Sequence, residues 1–317
     1  MRIVLPGGSG QLGSILARDY HAAGHEVVVL SRSPTSTPWQ TISWDARSQG
    51  PWSTQIDGAD LVVNLAGRSV NCRYTDKNRR LIMDSRVEST EAVATAIELS
   101  ASPPPVWLQL STATIYSHRY DAPNDEIDGE IGGNEPGVPA SWAYSVEVAK
   151  AWEGAALGRT LASTRVAALR SSVVLSPDRG GIFDVMLGMV RRGLGGRSGD
   201  GRQFVSWVHS HDFVAAVKWL AAEASLGGVV NIASPNPLPN AEFMSSFRDA
   251  WGARIGLPAT TAMLEVGALL MGTETELVLK SRRVYPRRLL DSGFEFAFPD
   301  WPTAVTDLCA RYRAASA

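Results

Sequence analysis

The first half of the chain alternates short unbroken apolar runs with longer stretches whose apolar positions recur every three or four residues. Ile3-Val-Leu5, Glu26-Val-Val-Val-Leu30 and Asp60-Leu-Val-Val-Asn-Leu65 are short and lack polar alternation, so they read as strands buried on both faces. Between the first two, Ile15, Leu16 and Tyr20 carry helical spacing. Residues 75–102 contain neither Gly nor Pro, and Leu81, Ile82, Val93 and Ile97 mark one long helix that Pro103-Pro-Pro105 stops. Val106-Trp-Leu-Gln-Leu110 reads as the next strand and residues 142–157 as a further helix, and Ser163-Thr-Arg-Val-Ala-Ala-Leu-Arg170 leads into another strand. Strands and helices in this alternation predict an α/β fold, a Rossmann-type doubly wound parallel sheet with a smaller mixed C-terminal domain.

Beyond Ser176 the regularity falls. Gly180-Gly181, Gly193, Gly195-Gly196, Gly199 and Gly201 break the chain into loops around one helix near residues 183–192. Residues 1–175 are therefore assigned to the Rossmann domain, with a return to it at about 204–235. Residues 176–317 are assigned to a C-terminal domain that caps the first and forms a substrate site. Residues 118–139, polar, acidic and rich in Gly and Pro, form a long loop that either borders the pocket or is plain surface.

The first strand runs straight into Gly7-Gly-Ser-Gly10-Gln-Leu-Gly13, where two spacings coexist: Gly8-x-Gly10-x-x-Gly13 and Gly7-x-x-Gly10-x-x-Gly13. Glycines between a strand and a helix let the backbone approach a pyrophosphate and offer it the free N–H groups of a helix N-terminus. The strand, helix and second strand around them complete a βαβ unit, so the loop reads as a dinucleotide-binding site. Where the second strand ends, Leu30-Ser31-Arg32-Ser33 supplies a guanidinium in place of the acidic residue that would grip a ribose 2′-hydroxyl. Arg32 suits a 2′-phosphate and so NADP(H), the alternative being a solvated charge at a strand end.

Composition narrows the remaining classes. The 317 residues are 44% hydrophobic and 20% charged, with a net charge of −2, and the 30 lysines and arginines form no single run. No nucleic-acid partner is expected from such a field. The two cysteines, Cys72 and Cys309, lie far apart and the five histidines have no paired ligand spacing, so neither a disulfide nor a metal site is expected. The N-terminus enters a strand at once and no apolar run approaches the roughly 20 residues of a membrane span, which predicts a cytoplasmic protein with no membrane partner.

These residues together resemble the extended or atypical short-chain dehydrogenase/reductases, in particular the epimerase-like (NAD-dependent epimerase/dehydratase) group with a small C-terminal domain of unknown function. The resemblance rests on the glycine loop, Asn64-Leu-Ala-Gly67, Ser85-Arg86-Val87 with Thr90, Ala151-Trp-Glu153, Gly199-Asp-Gly-Arg-Gln203, Ser206-Trp-Val-His209 with Asp212, Asn231-Ile-Ala-Ser-Pro235 and Ser281-Arg-Arg-Val-Tyr-Pro286. It implies cofactor contacts at Gly7, Gly10, Gln11, Leu12, Gly13, Arg32 and the Leu65-Ala66-Gly67 turn, with Asp45 at the adenine edge. It also implies a small-molecule substrate, nucleotide-sugar-like or a carbonyl compound, and a monomer or homodimer. By analogy with relatives, a dimer would pair through the two long helices.

One departure from that family decides how the chemistry is read. Its catalytic members carry a tyrosine four residues before a lysine, so that the ammonium on the same helix face lowers the phenol's pKa. None of the seven tyrosines has a lysine four residues on. Lys150 stands on the corresponding helix with Val146 four residues before it; Tyr144, six before, is about 240° around the helix. Lys150 is a candidate for the nicotinamide ribose or a solvated lysine. Thr112 aligns with the catalytic Ser/Thr, and Tyr116 is either a replacement phenol or a packing aromatic. His209 and Asp212 suggest an acid/base couple or a cap with an orienting histidine. Arg73, Arg86 and Arg202 suit an anionic substrate group or structural salt bridges. Two functions remain open at this point: an NADP(H)-dependent oxidoreductase or epimerase-like enzyme acting by hydride transfer, and a non-catalytic NADP(H)-binding redox sensor or assembly factor.

Removing the Arg32 charge in Arg32→Ala is expected to weaken NADPH binding far more than NADH binding in calorimetric titrations; equal losses contradict the 2′-phosphate assignment.

Overall fold

The computed structural model describes residues 1–315 and contains one large parallel sheet. Its strands are β1 (Arg2–Pro6), β2 (Glu26–Ser31), β3 (Gln40–Ser43), β4 (Leu61–Asn64), β5 (Val106–Thr112), β6 (Arg165–Ser171) and, after β7 (Val173–Leu175), β8 (Phe204–Val205) and β9 (Trp207–His209), the edge strand β10 (Gly228–Ile232). The order β10-β6-β5-β4-β1-β2-β3 reverses direction between β1 and β4, and every pairing is parallel. Open α/β sheets take ligands in the crevice at such a reversal, beyond the carboxyl ends of the strands.

Period-two geometry distributes the strand residues to two cores. Ile3, Leu5, Val27, Val29, Leu61 and Val63 face α1 (Gln11–Ala22) and, farther along, α5 (Ser210–Ala222). Val4, Val28, Leu30, Val62 and Trp107 face the opposite side, against Ala92, Val93, Ala96 and Ile97 of α2 (Asp76–Leu99). Helix α2 begins where Thr75 caps the N–H of Asn78 and ends at Leu99, three residues short of the sequence expectation, with Ser100 as its C-cap. Helix α3 (Ala140–Leu157) starts two residues earlier than expected, directly after Pro139.

The remaining helices are α4 (Ile182–Arg191), α6 (Asn240–Trp251), which follows β11 (Leu238–Pro239), α7 (Thr261–Met271), α8 (Glu276–Leu279), α9 (Arg287–Asp291) and α10 (Trp301–Ala314). A third core joins Phe183 and Leu187 of α4 to Phe243 and Phe247 of α6 and to Trp301, Val305 and Leu308 of α10. Phe243 and Trp301 stack at 4.0 Å, and the Trp301 indole N–H donates to the Phe243 carbonyl at 2.8 Å. Of the residues between 204 and 235, only β10 lies in the large sheet; β8 pairs with β11, and β9 with β7. No helix among the described residues is long and apolar enough to cross a membrane.

A Cβ at position 13 would lie 2.3 Å from the Gly8 Cα and 2.4 Å from the Gly8 carbonyl oxygen. Gly13→Ala is expected to destabilise the fold by about 2–3 kcal/mol, as overpacking does, and to move α1 away from the loop. Urea unfolding checks this, and a change under about 0.5 kcal/mol contradicts it.

Candidate functional site

The site begins where β1 ends. Gly7 turns the chain with φ +72°, a conformation that disfavours any side chain, and its N–H donates to the Leu30 carbonyl at 2.9 Å. A Cβ there would also fall 2.6 Å from the Ala66 backbone, so Gly7 is fixed by close approach to the turn after β4. Gly10 differs: a Cβ at Gly10 would meet only the Gly7 carbonyl, at 3.7 Å. It precedes α1 without a side-chain cap, leaving the first N–H groups of α1, at Gln11, Leu12 and Gly13, facing an open cradle. Free N–H groups at a helix N-terminus are the groups that take a pyrophosphate. The Gln11 side chain itself turns toward Gly181 of the loop before α4.

The flanking residues complete the cradle. The Ser31 hydroxyl at the end of β2 donates to the Ser9 hydroxyl at 3.0 Å, tying the strand to the glycine loop. Arg32 follows, exposed and with no ion-pair partner among the described residues. Leu65 donates to the Pro6 carbonyl at 2.8 Å, and the Asn64 carboxamide accepts the Ala66 N–H at 3.1 Å and donates to Gln109 at 2.9 Å. The Leu65-Ala66-Gly67 turn is thereby held against the loop. Asp45, beyond β3, accepts the N–H groups of Arg47 and Ser48 at 2.9 Å each. The Ser48 N–H bond leads in holding its carboxyl below the usual carboxylate range, and one of its oxygens builds a local turn.

At the end of β5 the three proposed catalytic residues part company. Thr112 stays at the site: its oxygen accepts the Thr114 N–H at 3.2 Å, capping a short 3-10 turn, and its own O–H remains available to donate. Tyr116 does not line the cavity described below. Its ring is buried, and its phenol donates to Asn231 at 2.9 Å and accepts from Arg170 at 3.0 Å. Arg170 in turn forms a bidentate pair with Glu153, at 2.8 Å on both oxygens, and Glu153 accepts from Ser111 at 2.6 Å. This buried network joins β5, β6, α3 and β10, and burial pushes the Tyr116 phenol up from its ordinary value. The packing alternative weighed for Tyr116 is the one the geometry favours. Lys150 is exposed on α3, while Val146, one turn earlier, packs with Ala113, Ile115 and Tyr116.

A cavity of about 1110 Å³ opens at the ends of β5 and β6, between the sheet and the C-terminal half. Thr112, Ala113 and Thr114 form one wall, Ser171 to Val173 another, and α4 contributes Ile182, Val185 and Met189. Two cations from the segment after α8 complete it. The Lys280 ammonium, buried, donates to the Thr114 carbonyl at 2.8 Å and lies 3.7 Å from a Glu276 oxygen. Burial pushes Lys280 down to about 8 and Glu276 up, so desolvation outweighs their attraction. Arg282 donates through Nε to the Thr114 hydroxyl at 3.2 Å, and its Nη2 is buried with no hydrogen-bond partner. The sequence reading singled out the run from Ser281 to Pro286 without assigning Lys280 or Arg282 a role. The available signal was one of only four lysines in the chain, placed directly before that run.

The suggested His209–Asp212 couple does not form. The His209 ring accepts the His211 N–H at 3.0 Å through Nδ1, and its Nε2 meets Asp307 at 3.1 Å. His209 is therefore the cap of α5, whereas Asp212 accepts the N–H groups of Ala297 and Phe298 at 3.0 and 2.9 Å. His209 thus ties α10, and Asp212 the segment before it, to the start of α5. Arg86 is held inside, donating to the carbonyls of Arg68 and Ile82 and lying over the Trp152 ring. Arg73 donates to the Thr273 carbonyl at 3.0 Å, and Arg202 lies over the Tyr120 ring. None of these three lines the cavity.

The sequence profile of the NAD dependent epimerase/dehydratase family matches residues 3–233, and that of a domain of unknown function, DUF1731, matches residues 261–308. The chain is 31% identical to the human epimerase family protein SDR39U1 over 314 residues, covering 98% of this chain and all of that protein. It is 26% identical to the epimerase family protein YfhF of Bacillus subtilis, covering 98% of each. The crystal structure of human SDR39U1 (isoform 2) with NADPH superposes with a TM-score of 0.83 at 31% identity, covering 98% of this chain and 99% of the human one.

Burial lowers the His209 pKa from its ordinary 6.5 to about 4. Its contribution to stability is complete above pH 6.5 and is lost as pH falls toward 4, where the unfolded chain binds the extra proton; the loss reaches about 3 kcal/mol. His209→Asn is expected to flatten the pH dependence of urea unfolding between pH 6.5 and 4.5 relative to wild type. Parallel curves for the two proteins contradict this role.

Proposed function

The chain belongs to the NAD dependent epimerase/dehydratase family, and on that premise we propose that it is an NADP(H)-dependent oxidoreductase or epimerase-like enzyme acting on a carbonyl or alcohol substrate with a substantial apolar body. The observation that carries the reading is the cavity at the carboxyl ends of β5 and β6, where Thr112 keeps a free O–H donor beside an apolar wall from α4. The binding of NADPH by the human relative supports the choice of cofactor. Gly7, Gly10, the N–H groups of Gln11, Leu12 and Gly13, and the Leu65-Ala66-Gly67 turn would hold the dinucleotide, with Arg32 at the 2′-phosphate. Bound there, the cofactor supplies or accepts a hydride.

The protein's own share is orientation and electrostatics. Ile182, Val185 and Met189 offer apolar surface to the body of the substrate. The Thr112 hydroxyl donates to the substrate oxygen while its position is fixed by the Thr114 N–H. Arg282 lines the same space and donates through Nε to the Thr114 hydroxyl, which fixes the wall beside Thr112. Of the small polar substrates considered from the sequence, nucleotide-sugar-like or carbonyl, this lining favours the carbonyl class.

Purified protein is expected to bind NADPH in calorimetry and to consume it, followed at 340 nm, with members of a panel of apolar ketones and quinones. Thr112→Ala is expected to lower kcat about 100-fold with NADPH affinity unchanged, since one transition-state donor is lost. Tight NADPH binding without turnover on any compound would replace the enzyme by a sensor or assembly factor, and no binding of either nicotinamide coenzyme would overturn both.

A further inference from the structure

With no tyrosine and lysine paired on α3, the proton that must reach the substrate oxygen needs another source. Besides the arginines, the titratable side chains that line the cavity, among the described residues, stand in three places. Asp184 and Tyr312 lie at the α4 and α10 wall, where the Tyr312 phenol donates to Asp184 and holds that carboxyl ionised. Glu274 accepts the Tyr74 N–H and faces Arg73 at the rim. Arginines do not release protons near neutrality. Lys280 alone combines an exchangeable proton with the end of β5, one hydrogen bond from Thr114, whose N–H in turn bonds Thr112.

We propose that Lys280 is the proton donor of the reaction, so that the C-terminal segment, and not α3, supplies the acid. The assignment rests on the enzymatic reading above and deepens it. Several features hold the ammonium in place. The Thr114 carbonyl takes one of its three donors at 2.8 Å and Glu276 of α8 stands at 3.7 Å, leaving a donor for a substrate oxygen. Glu276 is itself fixed by the Ser145 hydroxyl of α3 at 2.5 Å. The other charged or titratable groups facing Lys280 are Arg282 from its own segment and Glu135 and His118 from the loop after β5. Arg282 and burial both favour the neutral amine, so proton release is eased.

In the reducing direction the carbonyl carbon gains a hydride, for which the reduced nicotinamide is the two-electron reductant. The C=O π pair moves onto oxygen, an N–H bond of the ammonium breaks as the O–H bond forms, and the neutral amine regains a proton from solvent. In the oxidising direction the neutral amine takes the alcohol proton.

The test uses full-length protein, NADPH and 9,10-phenanthrenequinone as the probe carbonyl. Wild-type kcat is expected to fall tenfold per pH unit above about 8, and Lys280→Met to lose about 100-fold or more at pH 7 with NADPH affinity unchanged. Lys280→Arg, which keeps the cation without a releasable proton, is expected to lose as much, separating proton transfer from charge and from folding. Independently of turnover, NMR of isotope-labelled lysine in the wild-type protein is expected to show Lys280 titrating near 8, below its ordinary 10.5. The assignment is overturned if either variant stays within threefold of wild type with the pH limb intact, or if Lys280 titrates at its ordinary 10.5. A wild type that binds NADPH and reduces no probe removes the enzymatic reading and this assignment with it; turnover indifferent to Lys280 removes this assignment alone.

Discussion

The contact on which the rest depends is main chain against main chain: the Gly7–Gly8 turn lies on Ala66 on one side and on Gly13 of α1 on the other, at distances no Cβ tolerates. Strand β1, the turn after β4 and the start of α1 are thereby drawn into one junction at the point where the sheet order reverses. The junction leaves Gly10 open, so the atoms that make the packing tight are not those that meet a phosphate. Division of labour among four closely spaced glycines explains why the loop is both rigid and accessible.

From this junction the sheet carries its ligand-facing ends in a row, and the protein fills that row with different chemistry on each side. Toward β2 it is polar and exposed, ending in Arg32. Toward β5 and β6 it becomes a deep cavity with apolar surface from α4, whose charges come both from α4, at Asp184 and Arg191, and from the distant C-terminal segment, at Lys280 and Arg282. The buried Arg170–Glu153 pair below that cavity is not a source of net stability by itself, but removing one partner would strand the other and cost about 3–5 kcal/mol. Its structural effect is to fix Tyr116, and through Asn231 to hold the Tyr285 carbonyl and the segment that carries Lys280 and Arg282.

Local pattern sufficed wherever neighbours in sequence decide the outcome. Uninterrupted apolar runs, glycine spacing and proline stops located the sheet, the dinucleotide loop and α2 within a few residues. Partner choice across the chain was not legible. Nothing near Tyr116 indicates that Arg170 and Asn231 will occupy its phenol, and a three-residue spacing made Asp212 look like the partner of His209 when Asp307 is. Lys280 was hidden for the same reason: its significance comes from Thr114 and Glu276 surrounding it, and a single lysine in a basic run has no periodicity.

The loop between β5 and α3 does more than border the cavity. Asn124 exchanges backbone hydrogen bonds with Arg283 and Tyr285, Ser281 donates to His118, and its hydroxyl reaches the Arg119 carbonyl. The late part of the chain is thus stitched into a connection made during the first half of the sheet. Synthesised from the N-terminus, this loop waits for residues 281–285 before its backbone is satisfied, so the glycine loop can assemble early while the cavity wall is completed only after that later segment has emerged.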